Sequence, residues 1–141
     1  MEVVRRWLEA QKATQEDVSA AAMHLWDDAG EYCPVARFPE TRPCHGRDEI
    51  IEWFGRFVDT WSDHQLDVNR IIEVDDDRVL ACVTMRTADR ASGAKLEGDL
   101  YICCCLPEAR LVREEDHLTI VGALRDLGLP GTTLQAAGLG D

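Results

Sequence analysis

Asp99 and Tyr101 stand two residues apart in a segment, Lys95 to Leu106, long enough for an extended strand. On a strand such residues share a face. Cys103 and Cys105 continue that face, and Leu100, Ile102, Cys104 and Leu106 make the other. A dry pocket against the first face would raise the proton affinity of Asp99 and fit it for proton transfer. The plainer reading is an outward Asp beside a half-buried Tyr. Asp116 and His117 are neighbours. On a strand they point to opposite faces, so only one can reach a pocket. His117 is a candidate general base near neutral pH, with a structural histidine as the competing reading. A Cys33 thiol would need a depressed pKa to act as a base, and no nearby residue in the sequence supplies one.

Trp26, Trp53, Phe57, Trp61 and Cys103 are candidate lining for an apolar ligand, although aromatic residues at helical spacing more often build core. His24, His45, His64 and His117 are scattered, with no pair at i, i+4. Two cysteines on one face do not close a zinc site, so neither a metal nor a cofactor is expected. No phosphate-binding glycine loop, nucleophile elbow or dinucleotide fingerprint is present.

These residues need elements to position them. Val3, Val4, Trp7 and Leu8 form one stripe of a first helix. Thr14 and Asp17 read as a capping box for a second helix, with Val18, Ala21, Ala22, Leu25 and Trp26 on one face and Lys12 to Gln15 as the joint. Asp27 to Gly46 carries three prolines and two glycines and reads as irregular, with a short strand around Glu31 to Val35. From Asp48 to Trp61, bulky apolar residues recur every three or four positions, so this third helix must lie on a large apolar surface such as a sheet. The period then changes to two. Segments around 66–74, 79–87, 95–106 and 111–118, separated by short turns, predict an antiparallel meander. Thr119 caps a last helix over Ile120 to Leu127, stopped by Gly128 and Pro130. Helices first and sheet afterwards make the class α+β. Residues 1–129 read as one domain and 130–141, rich in Gly and Ala, as a flexible tail.

With 141 residues, 45% of them apolar, the chain can build one core without staples. Its net charge of −12 repels phosphate backbones and anionic lipid, which argues against nucleic-acid and membrane partners and leaves neutral or cationic small molecules open. No segment reads as a membrane span or a secretory signal, and the six cysteines read as reduced and packed, so a cytoplasmic protein is expected.

Four ordered segments carry a family resemblance: Gly46-Arg47-Asp48-Glu49-Ile50-Ile51-Glu52-Trp53-Phe54 at the third helix, Val74-Asp75-Asp76-Asp77-Arg78-Val79 at a hairpin, Arg110-Leu111-Val112 with Asp116-His117-Leu118 on the last strand, and Ala123-Leu124-Arg125-Asp126-Leu127-Gly128-Leu129 in the closing helix. Over residues 3 to 129 the chain resembles the SnoaL-like branch of the NTF2-like superfamily, whose relatives include polyketide cyclases, ketosteroid isomerases and limonene-epoxide hydrolases. The resemblance implies a cone: a curved antiparallel sheet wrapped around the long third helix, with two N-terminal helices, a short C-terminal helix and a pocket at the open end. It also implies a homodimer through the outer sheet face. Tyr101 stands about where ketosteroid isomerases keep an acid that donates to an enolate oxygen; its hydroxyl, or that of Tyr32, would hold the developing oxyanion. Ala88 and Thr119 stand where epoxide-opening relatives carry carboxylates, which argues against epoxide opening; Cys33 replaces the acid of ketosteroid isomerases, which weakens the isomerase reading; Arg86 is a candidate substrate-binding residue. Two functions follow: a cofactor-free isomerase or cyclase moving a proton on an apolar cyclic or polyketide-like substrate, with Asp99 or His117 as the base, or a non-catalytic ligand-binding or dimerisation module.

Overall fold

The structure is a computed structural model, and the residues described are 2–11, 15–35 and 42–130. Thr14, most of the expected joint and the tail from residue 131 lie outside them.

Apolar periodicity accounts for the helices. Helix α1 (Glu2–Ala10) buries Val4, Trp7 and Leu8, and α2 (Gln15–Leu25) follows it. Helix α3 (Arg47–Thr60) buries Ile50, Trp53, Phe54, Gly55 and Phe57 along one stripe. Its start is fixed by the Gly46-Arg47 pair. Gly46 sits at φ 92°, a backbone conformation that favours glycine. Arg47 then bridges the Asp28 carboxylate and the carbonyls of Met23 and Trp26, tying the helix to the chain that precedes it. Helix α4 (Ile120–Leu127) starts at Thr119, whose hydroxyl accepts from Gly122 N at 3.0 Å, and ends at Gly128 in the left-handed region.

The strands are β1 (Trp26–Cys33), β2 (Cys44–His45), β3 (Trp61–Glu73), β4 (Arg78–Asp89), β5 (Lys95–Cys105) and β6 (Leu111–His117). They form one six-stranded sheet in the order β2-β1-β6-β5-β4-β3. The expected meander is present as β3 to β6. The sheet as a whole is mixed and not antiparallel, because β1 runs parallel to β6. Two register shifts in the pairing of β3 with β4 bend the long strands, and the curved, unclosed sheet is that of an α+β cone.

Strand β1 departs from expectation. Trp26 opens a strand and does not close helix α2, and Asp27 to Gly30 is extended. Strand β1 pairs with β6 at Trp26 and again from Glu31 to Cys33, with a register shift across the intervening Asp-Asp-Ala-Gly. Gly30 is required there, since a Cβ would come within 2.5 Å of the Trp26 ring.

The two sheet faces carry two separate cores. The inner face packs Val79, Ala81, Val83 and Met85 of β4 and Leu100, Ile102 and Cys104 of β5 against α1, α2 and α3. The outer face packs Leu80, Cys82 and Cys103 beneath Ala123 and Leu127 of α4, with Tyr101 at the edge. No described helix is long and apolar enough to cross a membrane.

Candidate functional site

On β6, residues 114 and 116 turn inward. Glu114 lies opposite Cys104 of β5 and Tyr32 of β1, and Asp116 opposite Ile102. Glu114 is 1% exposed, and Trp7 Nε1 donates to its Oε1 at 2.7 Å. The Tyr32 hydroxyl donates to Asp116 Oδ2 at 3.0 Å. Asp116 as a residue keeps some exposure, yet its Oδ1 is sealed from solvent.

Burial pushes the Glu114 carboxyl well above the usual range, and the Asp116 charge adds to it. Burial likewise raises Asp116, against hydrogen bonds from Glu114 and Tyr32 that lower it. Two carboxyls this close cannot both ionise at low cost, so the pair keeps its protons more tightly than isolated carboxyls do. Burial and the neighbouring carboxylates push the Tyr32 hydroxyl well up, so it stays a donor at neutral pH.

Asp116 and Tyr32 open onto a cavity of about 20 Å³, lined also by Gln11, Trp53, Phe54, Phe57, His64, Leu66, Met85, Leu100 and Ile102. That is room for about one water molecule. Tyr32 meets Trp53 edge to face at 5.2 Å, Trp53 stacks on Phe57 at 5.5 Å, and the Phe57 ring meets His64 at 4.8 Å. The buried Gln11 Nε2 has no partner among the described residues. The cavity therefore offers an acceptor at Asp116, a donor at Gln11 and aromatic ring surface between them.

The sequence-predicted candidates divide between the faces. Tyr32, Trp53 and Phe57 line the cavity. Trp61 packs on Phe57 at 6.4 Å without lining it, and Trp26 is wholly buried against Trp7. Asp99, Tyr101, Cys103, Arg86 and His117 belong to the outer face, so the expectation that Asp99 and Tyr101 look into the pocket is corrected. Asp99 is exposed and accepts from Thr84 Oγ1 at 2.9 Å. Arg86 bridges Asp67 at 2.6 Å and Glu97 at 3.2 Å. His117 Nε2 lies 3.1 Å from Asp126 of α4. Sequence reasoning missed Glu114, Gln11 and His64 and left Asp116 undecided against His117. One signal was available: on β5 the face with Leu100 and Ile102 is the more apolar, and the larger core claims it.

Cys103, His117 and Asp126 bring a thiol, an imidazole nitrogen and a carboxylate oxygen within 4.8 Å of one another, donor types that zinc accepts. Positive charge is already supplied there. Arg113 bridges Asp126 at 3.4 Å and pairs with Glu115. Burial opposes ionisation of Asp126, but hydrogen bonds with His117 and Arg113 and the Arg113 charge hold its carboxyl below the ordinary range. The Cys103 thiol, pushed up by burial and by Asp126, donates to the Ala123 carbonyl at 3.6 Å. The cluster fastens α4 to the sheet.

Comparison with known proteins agrees with this architecture. The family model described as SnoaL-like domain matches residues 4–113. A protein of ketosteroid isomerase-like fold from Catenulispora acidiphila, solved in complex with trimethylamine, superposes with a TM-score of 0.72 at 16% identity, covering 92% of this chain and 94% of that one. An NTF2-like protein of unknown function from Burkholderia pseudomallei gives 0.72 at 18% identity, covering 89% and 94%. A protein from Jannaschia sp. CCS1 assigned as a SnoaL-like polyketide cyclase gives 0.72 at 11% identity, covering 92% and 91%. At these identities the likeness is one of fold. No match was found among curated proteins.

Proposed function

Since the chain belongs to the SnoaL-like domain family, we propose that it takes a small molecule into the cone and that Asp116 moves a proton there, with Tyr32 as the hydrogen-bond donor. The reaction class is a cofactor-free isomerisation or cyclisation in the cytoplasm on an apolar cyclic or polyketide-like substrate. One observation carries this reading: the Asp116 carboxyl lines the cavity with its Oδ1 sealed from solvent, while Tyr32 holds Oδ2 at 3.0 Å. A carboxyl so placed can accept a proton from a substrate carbon or oxygen. Glu114, buried beside it, tunes how readily it does so. Tyr32 can then turn its hydroxyl toward an oxyanion formed beside it.

Asp116→Asn keeps the shape and removes the base. Turnover should fall by about 10²–10⁴-fold, the usual share of general-base catalysis, with the melting curve little changed. Unchanged turnover in a folded variant would refute the assignment.

The cavity volume of about 20 Å³ favours a second reading, a binding module without catalysis. Turnover screens against cyclic ketones and polyketide mimics, run beside binding measurements, separate the two: binding without conversion selects the module. The same reading includes a homodimer through the outer sheet face. Because α4 already covers the apolar part of that face, pairing would use the polar stretch around Arg86 and Asp99, and light scattering tests it.

A further inference from the structure

The outer face matches its carboxylates with cations. Arg78 meets Asp75 at 2.8 Å, Arg86 meets Asp67 and Glu97, and Arg113 meets Glu115 and Asp126. Among the described residues the inner face has no such match. Glu114 and Asp116 lie together there, and no described Lys or Arg lines the cavity or bonds to either carboxyl. Among the described residues, the basic group in the lining is the His64 imidazole, set edge to face against Phe57. A buried charge without a fixed counter-ion is costly. Around it stand the rings of Tyr32, Trp53, Phe54 and Phe57, 4.9 to 5.5 Å apart centre to centre. Ring faces attract cations, and the attraction grows when water is excluded. A chain of net charge −12 also draws cations toward itself before any contact is made.

From these three features we infer that the ligand of this cavity is a small organic cation, a protonated or quaternary amine whose charge sits between the Asp116 carboxyl and the aromatic rings. The inference rests on the pocket reading above and narrows its substrate class. The Asp116 carboxyl meets the ammonium, and the Gln11 amide, whose Nε2 is buried without a partner among the described residues, donates to an oxygen elsewhere on the ligand. The lining must open to admit even a compact guest, since the cavity holds about 20 Å³. Trp53 and Phe57 are stacked in that lining, so their displacement gives tryptophan fluorescence a signal on binding.

The test compares two probes of nearly one shape, tetramethylammonium and tert-butanol, titrated into the full-length protein by calorimetry and tryptophan fluorescence. The expected result is saturable binding of tetramethylammonium at least tenfold tighter than tert-butanol. Asp116→Asn should abolish most of that preference. Phe57→Leu, which leaves both carboxyls in place, should weaken the cation more than the alcohol, and melting curves establish that each variant is folded. Equal or tighter binding of tert-butanol overturns the inference and leaves the pocket reading standing. Failure of both probes overturns the inference as well; the pocket reading then stands or falls on the screen against cyclic ketones.

Discussion

The inner and outer faces of the sheet use the same residue types to opposite ends. Outside, Asp, Glu, Arg and His pair off, so ion pairs fasten α4 and stitch β3, β4 and β5 together. Exposed pairs of this kind contribute little to stability. Inside, two carboxyls meet the neutral donors Trp7 and Tyr32, and among the described residues no Lys or Arg bonds to either. Such an arrangement costs stability, and proteins keep groups of this kind at functional sites. The difference follows from solvent: where water and arginine can reach, charge is cheap, and where α3 seals the sheet it is not.

Four measurements would break or sharpen this contrast. The largest effect is expected at the aromatic lining. Trp53→Ala should cost about 3–5 kcal/mol in urea unfolding, the usual cost of emptying an aromatic core position. A much smaller loss would mean that the cavity wall is already loose.

The pH dependence comes next. Folded Glu114 and Asp116 hold their proton more tightly than the ordinary values of 4.5 and 3.8. Over the interval between those values and the raised ones, the folded chain binds more protons than the unfolded chain. The pair therefore takes nothing from stability below the ordinary values and takes progressively more as pH rises above them. Glu114→Gln should remove much of that downward slope, so that the variant gains on the parent protein as pH increases. Parallel curves for the two proteins would show that the folded pair holds its protons no more tightly than isolated carboxyls do.

A smaller change is expected outside. Arg113→Ala should cost about 1 kcal/mol, the upper end for a part-exposed pair, and amide exchange in α4 should quicken while the α3 amides stay as they were. Equal loosening of both helices would erase the contrast between the faces. Smallest of all, Arg86→Ala should leave the melting temperature within error, because its partners Asp67 and Glu97 are solvated without it.

Much of the architecture was legible in the chain. The stripe from Ile50 to Phe57, the Gly46-Arg47 entry, the Thr119 cap and the Gly128 stop are local signals, and each element lies where its signal stands. The alternation along 95–106 sorted residues into two faces correctly. Both faces of β5 carry apolar side chains, Leu100, Ile102 and Cys104 on one and Tyr101 and Cys103 on the other, although the first is the more apolar. The expectation that Asp99 and Tyr101 stand at the pocket takes the less apolar face, the one that α4 covers. Strand β1 was illegible for a different reason, since Asp-Asp-Ala-Gly in its first half has weak strand preference and interrupts its register with β6.

The amino-acid order by itself determined what depends on neighbours within a few residues: helix periodicity, caps and stops, and strand alternation. Only the tertiary structure decided that Asp116 rather than His117 faces the cavity, that Tyr32 reaches across 84 residues of chain to hold it, and that Glu114 is buried beside it. A strand's period of two distinguishes its sides, but which side becomes interior depends on the helix that packs there, and that choice is made by the whole fold at once.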